Sequence, residues 1–372
     1  MDPSFIEPAY GGRSLGDVLP AVAAALGVDV GFHDTELVLP PAPRYVVLLV
    51  DGLGHRLIGQ HAEHAPYLHA LLNEPGVAGV PSTTATSLTS LGTALTPGEH
   101  GLVGFTSRIP GTEKLLNALF WNKDLVDPAE WQPNASAFAR LRAAGVDATV
   151  VSKKEFVGSG LTLSAFRGAE FVDGDKVGER IAAAVTASRA TPSVTYVYDG
   201  DLDWTGHRYG VDSPQWRAQL GAVDHGVEQL REALDPAVRL VVVADHGMVD
   251  CPLDLRIDID EHPELRSGVQ LIGGEARFRH LYCSGRAVDD VLATWRGFLG
   301  GRAEVLARDE AIARGWFGTV APQVRPRLGD VVVAATGQTA LISMADFPYE
   351  NQLVGFHGSL TPVEMEIPIL IA

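Results

Sequence analysis

The sequence is poor in cysteine, with Cys251 and Cys283 the only two. Two thiols cannot make the framework of a disulfide scaffold, and the expected state is a pair of reduced cysteines in a cytoplasmic protein. Long apolar runs are missing as well. No run comes near the ~20 residues needed to span a bilayer. Residues 18–28 are the nearest thing to a signal peptide, but they are short, alanine-rich and interrupted by Pro20. They read instead as a helix starting near Ser14 or Asp17. Positive charge is scarce: 29 Lys and Arg against 46 Asp and Glu leave a formal net charge of -17. A nucleic-acid or anionic membrane surface needs clustered basic residues, so neither partner is expected. Small anionic substrates stay open, because a bound metal can invert the local field. There is no internal repeat and no low-complexity linker.

What is present points to a soluble α/β protein. Residues 45–50 (YVVLLV) and 239–244 (RLVVVA) are continuous apolar runs, as in strands buried on both faces. Further strands are expected at 77–80, 147–152 and 194–198, with helices at 55–73, 134–144, 176–187 and 214–234. This alternation predicts a three-layer α/β/α sandwich around a mostly parallel sheet. From 251 to 344 the pattern changes to short strands, at 276–282 and 330–335, around a helix near 289–299. That segment reads as a smaller α+β subdomain inserted, cap-like, into a single catalytic domain of residues 1–372. An apolar strand at 367–371 closes the chain.

Three acidic turns follow predicted parallel strands: Asp51 after YVVLLV, residues 199–203 after VTYVY, and Asp245-His246 after RLVVVA. Open parallel sheets bind ligands at that edge. Each feature has an ordinary reading by itself. A lone Asp caps a turn, and an Asp–His pair makes a buried hydrogen bond. Asp203 and His207 lie four apart with Gly206 between, which suggests a tight loop converging on one cation. Asp199 and Asp201 lack such a partner and read as loop or supporting groups. His357 lies between Gly355 and Gly358. His61, His64, His69, His100, His225 and His280 read as surface, packing or capping residues, with His100 the one that could serve near the site. Together Asp51, Asp203, His207, Asp245, His246 and His357 are six ligands, enough for two cations with three each. Two cations can clamp the attacking and leaving oxygens of a displacement at phosphorus. The hydroxyl cluster at 82–90, seven Ser or Thr in nine positions, sits at a strand-to-helix turn. A helix N-terminus there favours negative charge, so the cluster can supply a nucleophile.

The ordered set resembles the alkaline phosphatase superfamily, and within it the type I phosphodiesterase/nucleotide pyrophosphatase branch. The motifs are V-D-G at Val50, P-S-x-T at Pro81, T-x-L-x-P-x-x-H-G ending at Gly101, D-x-x-G-H at Asp203, A-D-H-G-M at Ala244, and a late His357 past an insertion. The resemblance implies an alkaline-phosphatase-like fold and a metal-dependent hydrolase of phosphodiester or phosphoanhydride bonds. Phosphomonoester or phosphonate hydrolysis on the same site is the alternative, and a metal-stabilised binding protein is the non-enzymatic one. It implies Thr84 as nucleophile. Asp51, Asp245 and His246 would hold a metal that also contacts the Thr84 oxygen. Asp203, His207 and His357 would hold the second. Two divalent ions are expected, zinc first, with manganese or iron as alternatives. The expected partner is a small phosphate ester or nucleotide-like substrate. The branch carries an Asn three residues after the nucleophile; here that residue is Ser87. Ser87, Asn122 and Trp121 are the expected substrate contacts, with Asn117, Phe120 and Trp204 as further candidates.

Overall fold

The run RYVVLLV forms β1 (Arg44–Val50) at the middle of the main sheet, and Tyr45–Val50 are all buried. The structure, a computed structural model, describes residues 5–372. The main sheet adds β2 (Asp147–Ser152), β3 (Glu170–Asp173), β4 (Ser193–Asp199), β5 (Val238–Val243) and β6 (Ile369–Ile371). Its order is β6-β5-β1-β4-β2-β3, with β6 antiparallel to β5 and the other pairs parallel. The longer helices are α1 (Val18–Leu26), α2 (Thr84–Thr93), α3 (Val177–Ala187), α4 (Asp201–Tyr209), α5 (Pro214–Ala233) and α6 (Val288–Leu299). Leu48, Val50 and Val197 meet Val177 and Ile181 of α3 and Val223 and Val227 of α5 on one face of the sheet. On the other face the Tyr196 ring stacks on Phe166 at 4.9 Å and meets Phe138 edge-on. These are the outer layers of a three-layer α/β/α sandwich.

The register positions the site. Val50 is level with Asp199, and Leu49 with Val243. The three adjacent strands β5, β1 and β4 therefore end side by side. Whatever follows each of them arrives at one edge of the sheet.

The segment after β5 builds a second, antiparallel sheet in the order Val269–Glu275, Phe278–Cys283, Val331–Ala335, Ala303–Ala307. Side chains alternate between its faces. Val331 and Val333 join Trp295 and Leu299 of α6 in a separate apolar cluster, while Val332 and Ala334 join the main core. The tip of its first hairpin carries Arg277, which forms a fully buried ion pair with Glu364 at 2.7 Å. Both cysteines are free and buried.

Several elements differ from the sequence expectation. Residues 55–73 form two short helices, His55–Gln60 and Pro66–Ala70. Pro66 starts the second, where its missing N–H costs nothing. The expected strand at 77–80 shrinks to Gly76–Val77, which pairs with Glu366–Ile367. Pro368 has no N–H to give a ladder, and it divides the closing apolar run. Only Ile369–Ile371 reaches β5. Among the described residues, no helix is long and apolar enough to cross a membrane.

Candidate active site

The hydroxyl-rich stretch enters α2 at Thr84, with Thr83 as an extended N-cap residue. Thr84 is thus the first residue of the helix, where free amides and the dipole favour negative charge. Its Oγ1 lies 3.4 Å from Asp51 Oδ2 and 3.3 Å from His246 Nε2. The ligand-type atoms of Asp51, Asp245 and His246 all lie within 4.8 Å of one another, and so do those of Asp203, His207 and His357. The first group is buried and the second half-buried. The imidazoles of His246 and His357 stack at 3.6 Å between centroids, so the two groups adjoin.

The second group is built differently from the tight loop expected after β4. Asp203 and His207 lie on α4, a regular helix, four residues apart and on one face. Gly206 has another purpose: a Cβ there would sit 2.3 Å from the sulfur of Met248. The residue after Asp245-His246-Gly247 therefore packs directly on the helix that carries the other ligands. Asp199 and Asp201 are held by Arg180 and Lys153, each at 2.6 Å, and belong to neither group.

The residues present fit divalent cations. Each histidine directs Nδ1 at a main-chain carbonyl: His207 at Gly355, His246 at Gly247 and His357 at Ser82, at 2.8, 2.9 and 3.0 Å. A carbonyl only accepts, so the ring proton is assigned to Nδ1, and the Nε2 lone pair faces the cluster. Nε2 of His207 and Nε2 of His357 then face each other at 3.2 Å. Two lone pairs at that distance repel unless a cation lies between them. Asp51 Oδ1, Asp203 Oδ1 and Asp245 Oδ2 are buried without a hydrogen-bond partner. Burial, then the charges of Asp245 and Asp203, hold the Asp51 carboxyl well above the usual range. Burial raises Asp245 too. His357 is pushed well below 6.5 by burial and by the neighbouring His246 and His207. Carboxylates that resist ionisation and imidazoles that resist protonation suit cation binding.

One supporting residue had no signal in the sequence. The Tyr198 hydroxyl, at the end of β4, donates to Asp51 Oδ2 at 2.6 Å. This leaves Oδ1 as the oxygen turned to the cluster.

A cleft of about 650 Å³ opens over the second group. Thr83, Thr84, Asp203, His207 and His357 form its floor, and Phe105, Phe120, Trp204 and Tyr349 its aromatic wall. Phe120 and Trp204 are 80% and 57% exposed, unusual for such large rings. The expected substrate contacts fall elsewhere. The Ser87 hydroxyl donates to the Asp245 carbonyl at 2.9 Å and is used up in holding that turn. Trp121 turns inward, its Nε1 donating to the Val126 carbonyl and its ring edge-on to Trp131. Asn122 is exposed, and its Oδ1 accepts from the Asp124 amide. Neither lines the cleft; Leu119 and Phe120, the two residues just before them, do. Asn117 folds back on the Leu119 and Phe120 amides. His100 is buried between Ser90 and the Leu102 amide, away from the cleft.

Known proteins share this arrangement of elements. Human ectonucleotide pyrophosphatase/phosphodiesterase family member 7 is 42% identical over 57 residues, which are 14% of this chain and 12% of that protein. GPI ethanolamine phosphate transferase 3 of Schizosaccharomyces pombe is 40% identical over 47 residues, 13% of this chain and 5% of that one. The chain thus spans only a small part of the curated relatives it matches. Solved structures are similar over far more of the length. Murine ectonucleotide pyrophosphatase/phosphodiesterase 5 is 18% identical with a TM-score of 0.69, covering 88% of this chain and 87% of the other. Phosphonoacetate hydrolase from Sinorhizobium meliloti 1021, solved with phosphonoformate, is 18% identical with a TM-score of 0.66, covering 89% and 90%. At that identity the likeness speaks for the fold. A family model described as type I phosphodiesterase / nucleotide pyrophosphatase matches residues 45–360, the part that holds Thr84 and all six candidate ligand residues. By that match, the chain belongs to the type I phosphodiesterase / nucleotide pyrophosphatase family.

Proposed function

We propose that this protein hydrolyses phosphodiester or phosphoanhydride bonds of small phosphorylated molecules, with Thr84 as nucleophile beside two divalent metals. The observation that carries this is the placement of a threonine hydroxyl, at a helix N-terminus, 3.3–3.4 Å from one of two adjoining three-ligand groups. Asp51, Asp245 and His246 would hold one ion and Asp203, His207 and His357 the other, zinc being the expected metal. When bound, the ions supply the positive charge that lets a threonine hydroxyl lose its proton near neutral pH and that offsets charge on the leaving oxygen. Thr84 Oγ1 forms its bond to phosphorus as the bond to the leaving oxygen breaks. Water then cleaves the phosphothreonine and restores the hydroxyl. The first turn of α2 presents amide donors to the phosphoryl oxygens. Phe105, Phe120, Trp204 and Tyr349 offer flat apolar surface to the leaving group. The hairpin that carries Glu275 and Ala276 brings the inserted segment 251–344 to the cleft as its cap.

The likeness to a phosphonoacetate hydrolase supports a second reading, cleavage of a phosphonate on the same site. Turnover of bis-p-nitrophenyl phosphate, p-nitrophenyl phosphate and phosphonoacetate by the metal-loaded protein separates the two. The diesterase reading expects the first to be preferred by orders of magnitude over the second. Thr84→Ala should lower kcat by at least ~10³ with metal content unchanged, and full retention of activity would remove Thr84 as nucleophile.

A further inference from the structure

Glu275 is a carboxyl that the two metal groups do not use. It ends the strand Val269–Glu275, at the tip of the hairpin that reaches from the inserted sheet to the cleft. Three features hold it there. Arg277, two residues on, is fixed by its bidentate pair with Glu364, at 3.0 and 2.7 Å. Thr106 Oγ1 donates to the Gly274 carbonyl at 2.9 Å. Gly358 leaves room for the side chain, since a Cβ at 358 would lie 2.7 Å from Glu275 Cγ.

The side chain is 8% exposed, and neither carboxyl oxygen has a partner of hydrogen-bond geometry. Leaving a buried polar group unsatisfied costs on the order of 1–3 kcal/mol. The fold could have avoided that cost with an apolar residue. The Thr83 hydroxyl and the Phe105 amide, as hydrogen-bonding neighbours, hold back part of the effect of burial. Burial still dominates and raises the carboxyl to about 8. The charges around it, Arg279 and Glu350, are paired with each other. A carboxyl raised in this way keeps its proton more readily than a free one, and a protonated carboxyl can donate to a phosphoryl oxygen. Among the described residues, Glu275 is the one carboxyl on the cleft wall that neither belongs to a metal group nor pairs with an arginine.

We infer that the Glu275 carboxyl, on the cleft wall beside Thr83 and Thr84, donates a hydrogen bond to a non-bridging oxygen of the phosphoryl group seated at Thr84. This assigns a substrate contact to the inserted segment and rests on the hydrolase reading above. An amide of the same length can make the same bond, and an apolar side chain cannot. Two variants of the full-length, metal-loaded protein test it, Glu275→Gln and Glu275→Leu. With bis-p-nitrophenyl phosphate, Leu should lower kcat/KM by about 10²-fold, and Gln should stay within about fivefold of wild type. Thermal stability of the Leu variant should not fall, because a buried carboxyl is replaced by an apolar side chain, and metal content should match wild type. Inorganic phosphate, titrated calorimetrically, reads the same contact without turnover: Leu should weaken its binding about tenfold and Gln should not. That arm decides the matter even if no tested ester is cleaved, an outcome that would count against the hydrolase reading alone. Undiminished phosphate binding by the Leu variant would overturn the inference. So would equal losses for Gln and Leu, which would mean that the ionised carboxylate is what matters.

Discussion

Tyr198→Phe isolates the hydrogen bond behind the Thr84-side metal group. The wild-type hydroxyl donates to Asp51 Oδ2 at 2.6 Å. The other polar side-chain group near Asp51 Oδ2, the Thr84 hydroxyl, is farther off at 3.4 Å. Phenylalanine keeps the ring and its edge-on contact with Phe156, so little changes but the donor. A hydrogen bond to a charged group contributes roughly 1.5–3 kcal/mol. Loss of such an outer partner typically costs ~10–100-fold in metal affinity, which corresponds to about 1.4–2.7 kcal/mol. The two ranges agree. The assay is titration of metal-free protein with zinc against a chromophoric chelator, with stoichiometry from elemental analysis. One of two equivalents should weaken by ~10–100-fold, while the site of Asp203, His207 and His357 keeps its affinity. Unchanged affinity at both sites would refute the reasoning. An equal loss at both would show that Tyr198 acts through the packing of β4 and not through Asp51.

Two further predictions concern stability. Arg277→Met strands Glu364, whose carboxylate also accepts from the Ser359 amide and the Thr361 hydroxyl, and should cost about 3–5 kcal/mol. Urea denaturation of the single variant and of Arg277→Met/Glu364→Leu checks this. The double variant should be the more stable of the two, and a single-variant loss under ~1 kcal/mol would disprove the account. His100 and His280 are buried as neutral rings, pushed down by burial to about 3 and about 4. The unfolded chain takes up protons at these rings below about 6.5. Their contribution is therefore complete above that pH and lost as pH falls toward 4, by up to ~1.4 kcal/mol per unit for each ring. His100→Gln should flatten the decline of the urea midpoint between pH 6.5 and 5; a slope identical to wild type would exclude this ring as the cause.

The position of the site was legible because parallel strands and ligands share a simple rule. A continuous apolar run such as YVVLLV must be a doubly covered strand, and polar residues directly after it can only lie at the sheet edge. That places Asp51, Asp203 and Asp245-His246 without coordinates. A strand-to-helix turn within the hydroxyl cluster was equally plain from the hydroxyls and the preceding proline; that the helix starts at Thr84 came from the structure. Trp121 and Asn122 were misplaced for a matching reason. They belong to a segment with no period, and nothing local states which of Leu119, Phe120 or Trp121 turns inward. Ser87 looked free because its partner, the Asp245 carbonyl, is 158 residues away.

By itself the sequence determined the sheet and brought six candidate ligand residues to its edge, since both depend on local pattern and on order along the chain; the choice of Thr84 among the hydroxyls came from the family resemblance. Tertiary structure alone decided which atoms are free. The turn of His207 and of His357 is set by a carbonyl from a distant segment, Gly355 and Ser82. The choice of Oδ1 over Oδ2 at Asp51 is set by Tyr198. The unpartnered state of Glu275 is set by a hairpin bolted down through Arg277. Hydrogen bonds between distant segments leave no period in a sequence, because they depend on where two chains cross.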